Sequence, residues 1–166
     1  MRSRRQQSGF TIVELIIVIC IIAILASVAI NSVSTYSRRA KVSEAVLALS
    51  TCKTSITENY PVLDAAPAAG SWGCEDSGKT QYSAGVQTSS RGVVRLKLQN
   101  LDRLDNNYIY LIPARADGVT AMTEGDIGSG VRGWICGSDF LLVRNALPAN
   151  CRADVPVEFM IDDYAP

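Results

Sequence analysis

The chain contains no histidine among its 166 residues. Without an imidazole there can be no Ser–His catalytic pair and no histidine ligand for zinc. The glycine patterns that hold phosphates are also missing, since no GxGxxG and no P-loop occur, and there is no nucleophile elbow. We therefore expect no metal and no cofactor, and an enzyme is the least favoured class.

An excess of charge of one sign is also missing, because 16 basic residues balance 16 acidic ones. A protein that binds nucleic acid along its whole surface carries a marked basic excess, so that class is disfavoured. The length suits one domain together with an anchor.

Charge is nearly absent from one stretch, Phe10 to Ile30, in which Glu14 is the only charged residue among 21. A helix of that length spans roughly 30 Å, which is the thickness of a bilayer core. The preceding residues, 1–9, carry three arginines and end in Gly9. A secretory signal would be cut after its apolar core, but the conspicuous small-residue junction here, Gly9-Phe10, lies before it.

The residues Gly9-Phe10-Thr11-Ile12-Val13-Glu14, followed by the apolar run, resemble the prepilin signature of type IV pilins and pseudopilins. The resemblance implies cleavage between Gly9 and Phe10 by a prepilin peptidase, which would remove residues 1–9 as a leader. It also implies N-methylation of Phe10. The alternative is an ordinary signal anchor with a chance Gly-Phe pair.

Glu14 is an ionisable residue in a predicted membrane helix, and such residues are costly and usually functional. It lies about 6 Å along the helix axis from Phe10, so it could instead reach the lipid headgroups as an interfacial carboxylate. In the resembling family this glutamate is thought to pair with the Phe10 amine of a neighbouring subunit and set the filament register. We favour the pairing between subunits over the interfacial carboxylate, with Glu14 and Phe10 as the assembly residues.

The helix is predicted to continue from residue 31 to residue 60. Apolar residues recur there at steps of three and four, which indicates one buried stripe, and Pro61 ends the pattern. Major subunits of the resembling family often carry proline at the position of Asn31, so melting of this segment on assembly is only weakly indicated here. The stripe consists of Val42, Ala45, Leu49, Cys52, Ile56 and Tyr60.

Four of the five cysteines follow the apolar run, and an even number suggests disulfides in an oxidising compartment. The C-terminal part of the chain, beyond the apolar run, is therefore predicted to be periplasmic. Cys74 could tie a loop to Cys52 on the helix stripe. The segment from Cys136 to Cys151 resembles the disulfide loop of type IVa pilins, which favours a pilus subunit over a pseudopilin. Residues alone allow three connectivities, and Cys20 is expected to be free.

Residues 61–91 are rich in glycine, proline and serine and are predicted to form a long loop, which is either a contact surface for neighbouring subunits or passive. Alternating or apolar segments after it predict strands near 94–98, 108–112, 119–122 and 131–136, with an edge strand over 155–161. The predicted fold is α+β, with a long N-terminal helix whose first half spans the membrane, packed on an antiparallel sheet.

Two polar clusters admit a functional and a plain interpretation. Asp162-Asp163 could bind a metal, but a solvated charged end is favoured. A basic patch could contact DNA or a surface, although a solvated strand face is the preferred interpretation. The patch comprises Arg91, Arg95, Lys97 and Arg103.

The resemblance implies a structural subunit held in the inner membrane and then assembled as a homo-oligomer into an extracellular type IV pilus. Its expected partners are the prepilin peptidase/N-methyltransferase and the inner-membrane assembly machinery, with DNA and host surfaces as candidates. The family's pili serve adhesion, twitching motility and DNA uptake. A minor tip subunit that binds DNA or a surface, and a type II secretion pseudopilin, are the alternatives.

Overall fold

The computed structural model describes residues 9–75 and 78–164, except for the side chains of residues 31 and 32. The predicted leader lies outside the described residues, apart from Gly9. The chain divides into two compact units, Met1–Ser37 and Arg38–Pro166.

Helix α1 covers Ile12–Asn59, which is 48 residues. Its predicted extent was Phe10 to Tyr60, so both ends are confirmed to within two residues. The helix ends before Pro61, because proline lacks the amide hydrogen that a further turn would need.

The second half of α1 buries the predicted stripe. All six stripe residues are at most 1% exposed, whereas Leu47, on another face, is 70% exposed. The stripe forms one hydrophobic core with apolar residues of the sheet and with Trp72. The 3.6-residue period of the sequence therefore identified the buried face.

The sheet has five strands, which are β1 Ser83–Thr88, β2 Val94–Leu98, β3 Tyr108–Ala114, β4 Gly133–Ser138 and β5 Ala153–Asp154. Their spatial order in the sheet is β1-β2-β3-β4-β5. Neighbouring strands are antiparallel except β4 and β5, which are parallel. The predicted α+β architecture is thus confirmed, with one parallel pair added.

Strand β1 lies inside the region predicted to be a loop, so that prediction was wrong for residues 83–88. The segment reads Ser-Ala-Gly-Val-Gln-Thr and contains a single large apolar residue, Val86. Pairing with β2 makes it a strand, with an irregular register between Ser83 and Val86. A strand that depends on its partner leaves little signal in its own sequence.

Strand β3 was predicted to stop near Pro113, and it runs one residue beyond it. Proline is tolerated where its missing amide would not serve the ladder. The carbonyl of Pro113 accepts a hydrogen bond from Met122 N at 2.8 Å, so its nitrogen also points away from β4. The predicted strand over residues 119–122 is reduced to one bridge between Ala114 and Ala121.

The C-terminal prediction was also wrong. Instead of an edge strand over residues 155–161, the chain forms the two-residue β5 and then a short helix, α3, at Val157–Met160. Phe159, on α3, packs on the face of the sheet opposite α1, in a second core with Tyr110 and Ile112. The apolar residues between positions 155 and 161 alternate in sequence, but some lie in this second core and the others are exposed on the surface.

The β1–β2 turn is joined to the end of α1. Tyr60 stacks on Trp72 with ring centroids 5.5 Å apart, and the Trp72 indole donates to the carbonyl of Ser89 at 2.8 Å. Gly92 has φ +76°, and a Cβ there would lie 3.1 Å from the Tyr60 ring. Only glycine fits both the backbone and the space. Burial raises the pKa of Tyr60 to about 12.

Candidate functional site

The first described residue, Gly9, has no structural need to be glycine. Apart from its chain neighbours, no atom of the described residues lies within 4 Å of the Cβ that a larger residue would place there. The φ of Gly9 also lies outside the left-handed range, so the backbone conformation does not require glycine. The described part of the chain therefore gives no steric or backbone reason for glycine at this position.

Thr11 and Glu14 form a capping box at the start of α1. The Thr11 amide and hydroxyl donate to Glu14 Oε2 at 3.0 and 2.7 Å, and the Glu14 amide donates to Thr11 Oγ1 at 3.3 Å. A box of this kind satisfies amide groups that have no partner within the helix. Thr11 was not among the predicted site residues, although the Thr-x-x-Glu spacing before an apolar run is the sequence signal that could have identified it.

The capping box leaves part of the Glu14 carboxylate available. An ionised carboxylate has about four acceptor positions on its two oxygens. Both hydrogen bonds to the Glu14 carboxylate use Oε2, and among the described residues none reaches Oε1. Glu14 can therefore cap its own helix and still accept a hydrogen bond from a second molecule.

The first half of α1 presents an apolar surface. Phe10 is 84% exposed, and the large apolar residues from Ile12 to Val33 are 46–78% exposed. An 18-residue window of the helix has a mean hydropathy of 3.1, so by length and composition it could cross a membrane. Cys20 is exposed and free in this half. A surface of this size needs lipid or protein to cover it.

The Cys52–Cys74 disulfide ties the loop after α1 to the helix, with Cα atoms 5.1 Å apart. Glu75 reinforces the tie by accepting hydrogen bonds from the amides of Trp72 and Cys74 at 2.8 and 2.9 Å, and one from the Thr88 hydroxyl. Burial opposes ionisation of Glu75, but the hydrogen bond from Thr88 and those from the amides lower its pKa overall. No sequence motif pointed to Glu75.

The Cys136–Cys151 disulfide closes a loop near the C-terminus, with Cα atoms 4.4 Å apart. The loop contains helix α2, Leu141–Ala146. Arg144 of α2 donates to the carbonyl of Ser138 at 3.2 Å and pairs with Asp154 of β5. The structure thus forms both predicted disulfides.

Comparison with known families decides what kind of fold this is. Residues 38–152 match the pilin family of bacterial filaments. The chain belongs to the pilin family. Residues 4–30 of this pilin also match the prokaryotic N-terminal methylation motif, a range that includes Gly9, Phe10 and Glu14.

Individual relatives agree with the family match. A fimbrial protein of Neisseria meningitidis is 34% identical over 128 residues, which is 76% of this pilin and 62% of that protein. A type IV major pilin of Neisseria gonorrhoeae is 50% identical over 54 residues, about a third of each chain. A fimbrial protein of Eikenella corrodens is 29% identical over 153 residues, 90% of this pilin and 93% of that protein. The pilin thus covers less than two thirds of the two neisserial relatives.

The predicted basic patch is divided by the fold. Arg91 forms an ion pair with Asp162 at 2.8 Å, which raises the pKa of the arginine through the hydrogen bond. Arg95 stacks on tyrosine rings, and Arg103 lies exposed in a 3₁₀ turn. The four residues therefore do not act as one surface.

The acidic pair near the C-terminus is only in part the solvated end that was favoured, because Asp163 is exposed and Asp162 is partly buried. The Asp162 side chain is only 10% exposed because Arg91 covers it. Asp163 accepts a hydrogen bond from the amide of Ser90 at 3.2 Å. Both carboxylates fasten the C-terminal segment to the β1–β2 turn, and no group of metal-ligating residues occurs in the described parts of the chain.

Proposed function

We propose that this pilin is the precursor of a type IV pilus subunit and acts as a structural protein rather than an enzyme. The exposed apolar helix with a single carboxylate near its start carries the proposal. Such a surface is costly in water, and identical helices packed side by side would cover it in every subunit.

The proposed processing site is the bond between Gly9 and Phe10, with N-methylation of the new Phe10 amine. The match to the N-terminal methylation motif supports this site. The open space around Gly9 adds to it, because the fold would accept a side chain there. We assign the need for glycine to a peptidase that must approach the backbone.

Glu14 is the proposed register residue of the filament. Cleavage would create a cationic amine on Phe10, and a neighbour's amine could bind the Glu14 oxygen that the capping box leaves unused. Pairing would stabilise the filament, because an unpaired charge in an apolar medium costs several kcal/mol. Pairing would also fix the axial offset between neighbouring helices, since each subunit offers one amine and one carboxylate.

The proposed organisation has four parts. Residues 1–9 form the leader, 10–30 the membrane and assembly half of the helix, 31–60 its amphipathic half, and 61–166 the globular region. Before assembly the subunit would sit in the inner membrane with its C-terminal part in the periplasm. Two disulfides in that part support an oxidising compartment. After assembly the subunit would be extracellular.

The test is mass spectrometry of filaments sheared from the surface of cells that express this pilin. The expected result is a mature chain that begins with N-methylated Phe10 and carries two disulfides. Its abundance distinguishes the main building block from a trace tip subunit. Absence from filaments, with loss of protein export when the gene is deleted, would indicate a secretion pseudopilin instead. Adhesion, twitching motility and DNA uptake would then be assayed in the deletion strain.

A further inference from the structure

The outer face of the sheet, opposite α1, contains a groove of about 490 Å³. We call it the cationic groove, because three basic side chains line it together with an aromatic ring. Lys79 precedes β1, Arg95 and Lys97 lie on β2, and Tyr108 lies on β3. The register pairs Lys97 with Tyr108, so the two residues lie opposite each other on this face of the sheet.

Arg95 is held in place before any ligand arrives. Its Nε donates to Gln87 Oε1 at 2.8 Å. The guanidinium carbon lies 4.9 Å from the ring centre of Tyr108 and 3.8 Å from that of Tyr164. Among the described residues the terminal Nη atoms make no hydrogen bond, so the fork that binds oxyanions is available.

Lys79 is brought to the groove by the irregular part of β1. Gly85 has φ +134°, and a Cβ there would meet the Lys79 side chain at 3.5 Å. The aliphatic part of the lysine therefore lies across the glycine. A side chain at residue 85 would meet Lys79 at an ordinary van der Waals distance, but it would strain the backbone at this φ.

The groove keeps an excess of positive charge. Within the described parts of the chain, none of its three cations forms an ion pair with a carboxylate. This contrasts with Arg91, Arg115 and Arg144, which all have carboxylate partners. Glu75 also lines the groove, and the hydrogen bonds that its carboxylate accepts from Trp72, Cys74 and Thr88 favour its ionised form. The described lining residues therefore carry three positive charges and one negative charge.

We propose that the cationic groove binds the sulfate groups of a sulfated polysaccharide. The Arg95 fork matches a sulfate oxyanion, the lysines add charge, and the exposed part of Tyr108 offers an apolar surface to a sugar ring. Duplex DNA is the competing polyanion; it fits one subunit less well, because a protein that relies on phosphate contacts commonly makes about 6 to 10 of them and one groove offers three cations. The site lies within one subunit, and the proposed filament would repeat it and raise its avidity.

The test uses the full-length pilin in detergent micelles, so it does not depend on polymerisation. Fluorescence anisotropy would measure binding of labelled dextran sulfate, with unsulfated dextran and a short DNA duplex as comparison probes. We expect the sulfated probe to bind best. The double variant K79Q/K97Q should lower its affinity about tenfold, as expected for two partly exposed charge contacts. Arg95→Lys should also weaken binding, since lysine keeps the charge and lacks the fork.

Arg103→Gln is the matched control, because it removes one exposed cation outside the groove and should leave affinity within about twofold. An unchanged affinity in K79Q/K97Q would overturn the proposal, as would an equal loss in Arg103→Gln. Equal binding of unsulfated dextran, or tighter binding of the DNA duplex, would overturn the assignment to sulfated polysaccharide. Circular dichroism spectra of the variants must match the parent.

Discussion

At the scale of single residues, Glu14 combines a local role with a proposed intermolecular one. Its carboxylate caps α1 together with Thr11. In the proposed filament the same carboxylate binds a neighbour's amine. Glutamine can replace glutamate in a capping box, but it cannot form an ion pair. The two roles can therefore be separated by the choice of substitution.

We predict that Glu14→Ala and Glu14→Gln both give inserted, cleaved and disulfide-bonded subunits but few or no pili. Removing one partner of a buried pair costs about 3–5 kcal/mol, and the loss recurs in every subunit. Thr11→Val removes the cap and keeps the charge, so it should assemble. Immunoblots of cellular and sheared surface pools measure the outcome. Normal piliation by Glu14→Gln together with a defect in Thr11→Val would assign Glu14 to capping alone.

Gly9→Val tests the proposed processing site. The structure has room for the valine side chain, so folding and membrane insertion should be normal. We expect a full-length precursor that retains Arg2, Arg4 and Arg5, because the bulky residue blocks the peptidase. Mass spectrometry of the purified chain distinguishes precursor from mature protein. Gly9→Ala, which adds only a methyl group, is the milder comparison. A mature chain starting at N-methylated Phe10 in the valine variant would contradict the assignment.

At the scale of elements, α1 carries two kinds of apolar residue. Those of the first half face outward all around the helix, whereas the second half buries one stripe. The sequence predicted both, because a continuous apolar run and a 3.6-residue period are local patterns. Within the second half, Leu47 and Leu49 show how narrow the buried stripe is: they lie within one turn, and they are 70% and 1% exposed.

Leu49→Ala should therefore destabilise the globular unit by about 3 kcal/mol, as is typical of a leucine removed from a packed core. Leu47→Ala makes the same chemical change on the exposed face and should shift stability by about 0.5 kcal/mol or less. Denaturant unfolding of the full chain in detergent, followed by the fluorescence of Trp72 and Trp134, measures both. Equal effects at the two positions would mean that the helix packs on a different face.

The C-terminal segment is the element that sequence patterns described least well. Val155, Val157, Phe159 and Ile161 alternate as in a strand, but Val157 and Ile161 are 63% and 79% exposed while Val155 and Phe159 are buried. An alternating strand would place all four residues on one face, whereas this segment buries only Val155 and Phe159. The helical form of this segment is stabilised by packing in the second core on the sheet and by the Arg91–Asp162 ion pair.

At the scale of the whole molecule, the lowered pKa values of two aspartates lead us to expect that the fold loses stability in acid. Arg115 binds both oxygens of Asp126, at 3.1 and 2.9 Å, and lowers the pKa of Asp126 to about 2. Hydrogen bonds from Thr120 lower the pKa of Asp117 to about 2 as well. An unfolded aspartate titrates near about 3.9. Both groups therefore add stability above pH about 4, which is lost as the pH falls towards 2.

We predict that Asp126→Asn unfolds more easily at neutral pH and shows a flatter pH dependence between about 4 and 2. The asparagine cannot form the ion pair and does not titrate. Asp64→Asn is the control, because Asp64 is exposed and has no hydrogen bond or ion pair among the described residues. Denaturant unfolding across that pH range gives the comparison. An Asp126→Asn curve parallel to the parent would show that the Arg115 pair does not contribute.

Sequence alone determined the long apolar helix, its buried stripe, the cysteine-tied globular part and the processing motif. Each of these rests on residues within a few turns of one another, or on a short motif that resembles a known family. Only the tertiary structure decided that β1 is a strand, that Pro113 lies inside β3, and that Asp162 pairs with Arg91. Those outcomes depend on pairing partners and not on a local period: β1 needs β2 beside it, Pro113 needs Met122 on its open side, and Asp162 pairs with a residue 71 positions away.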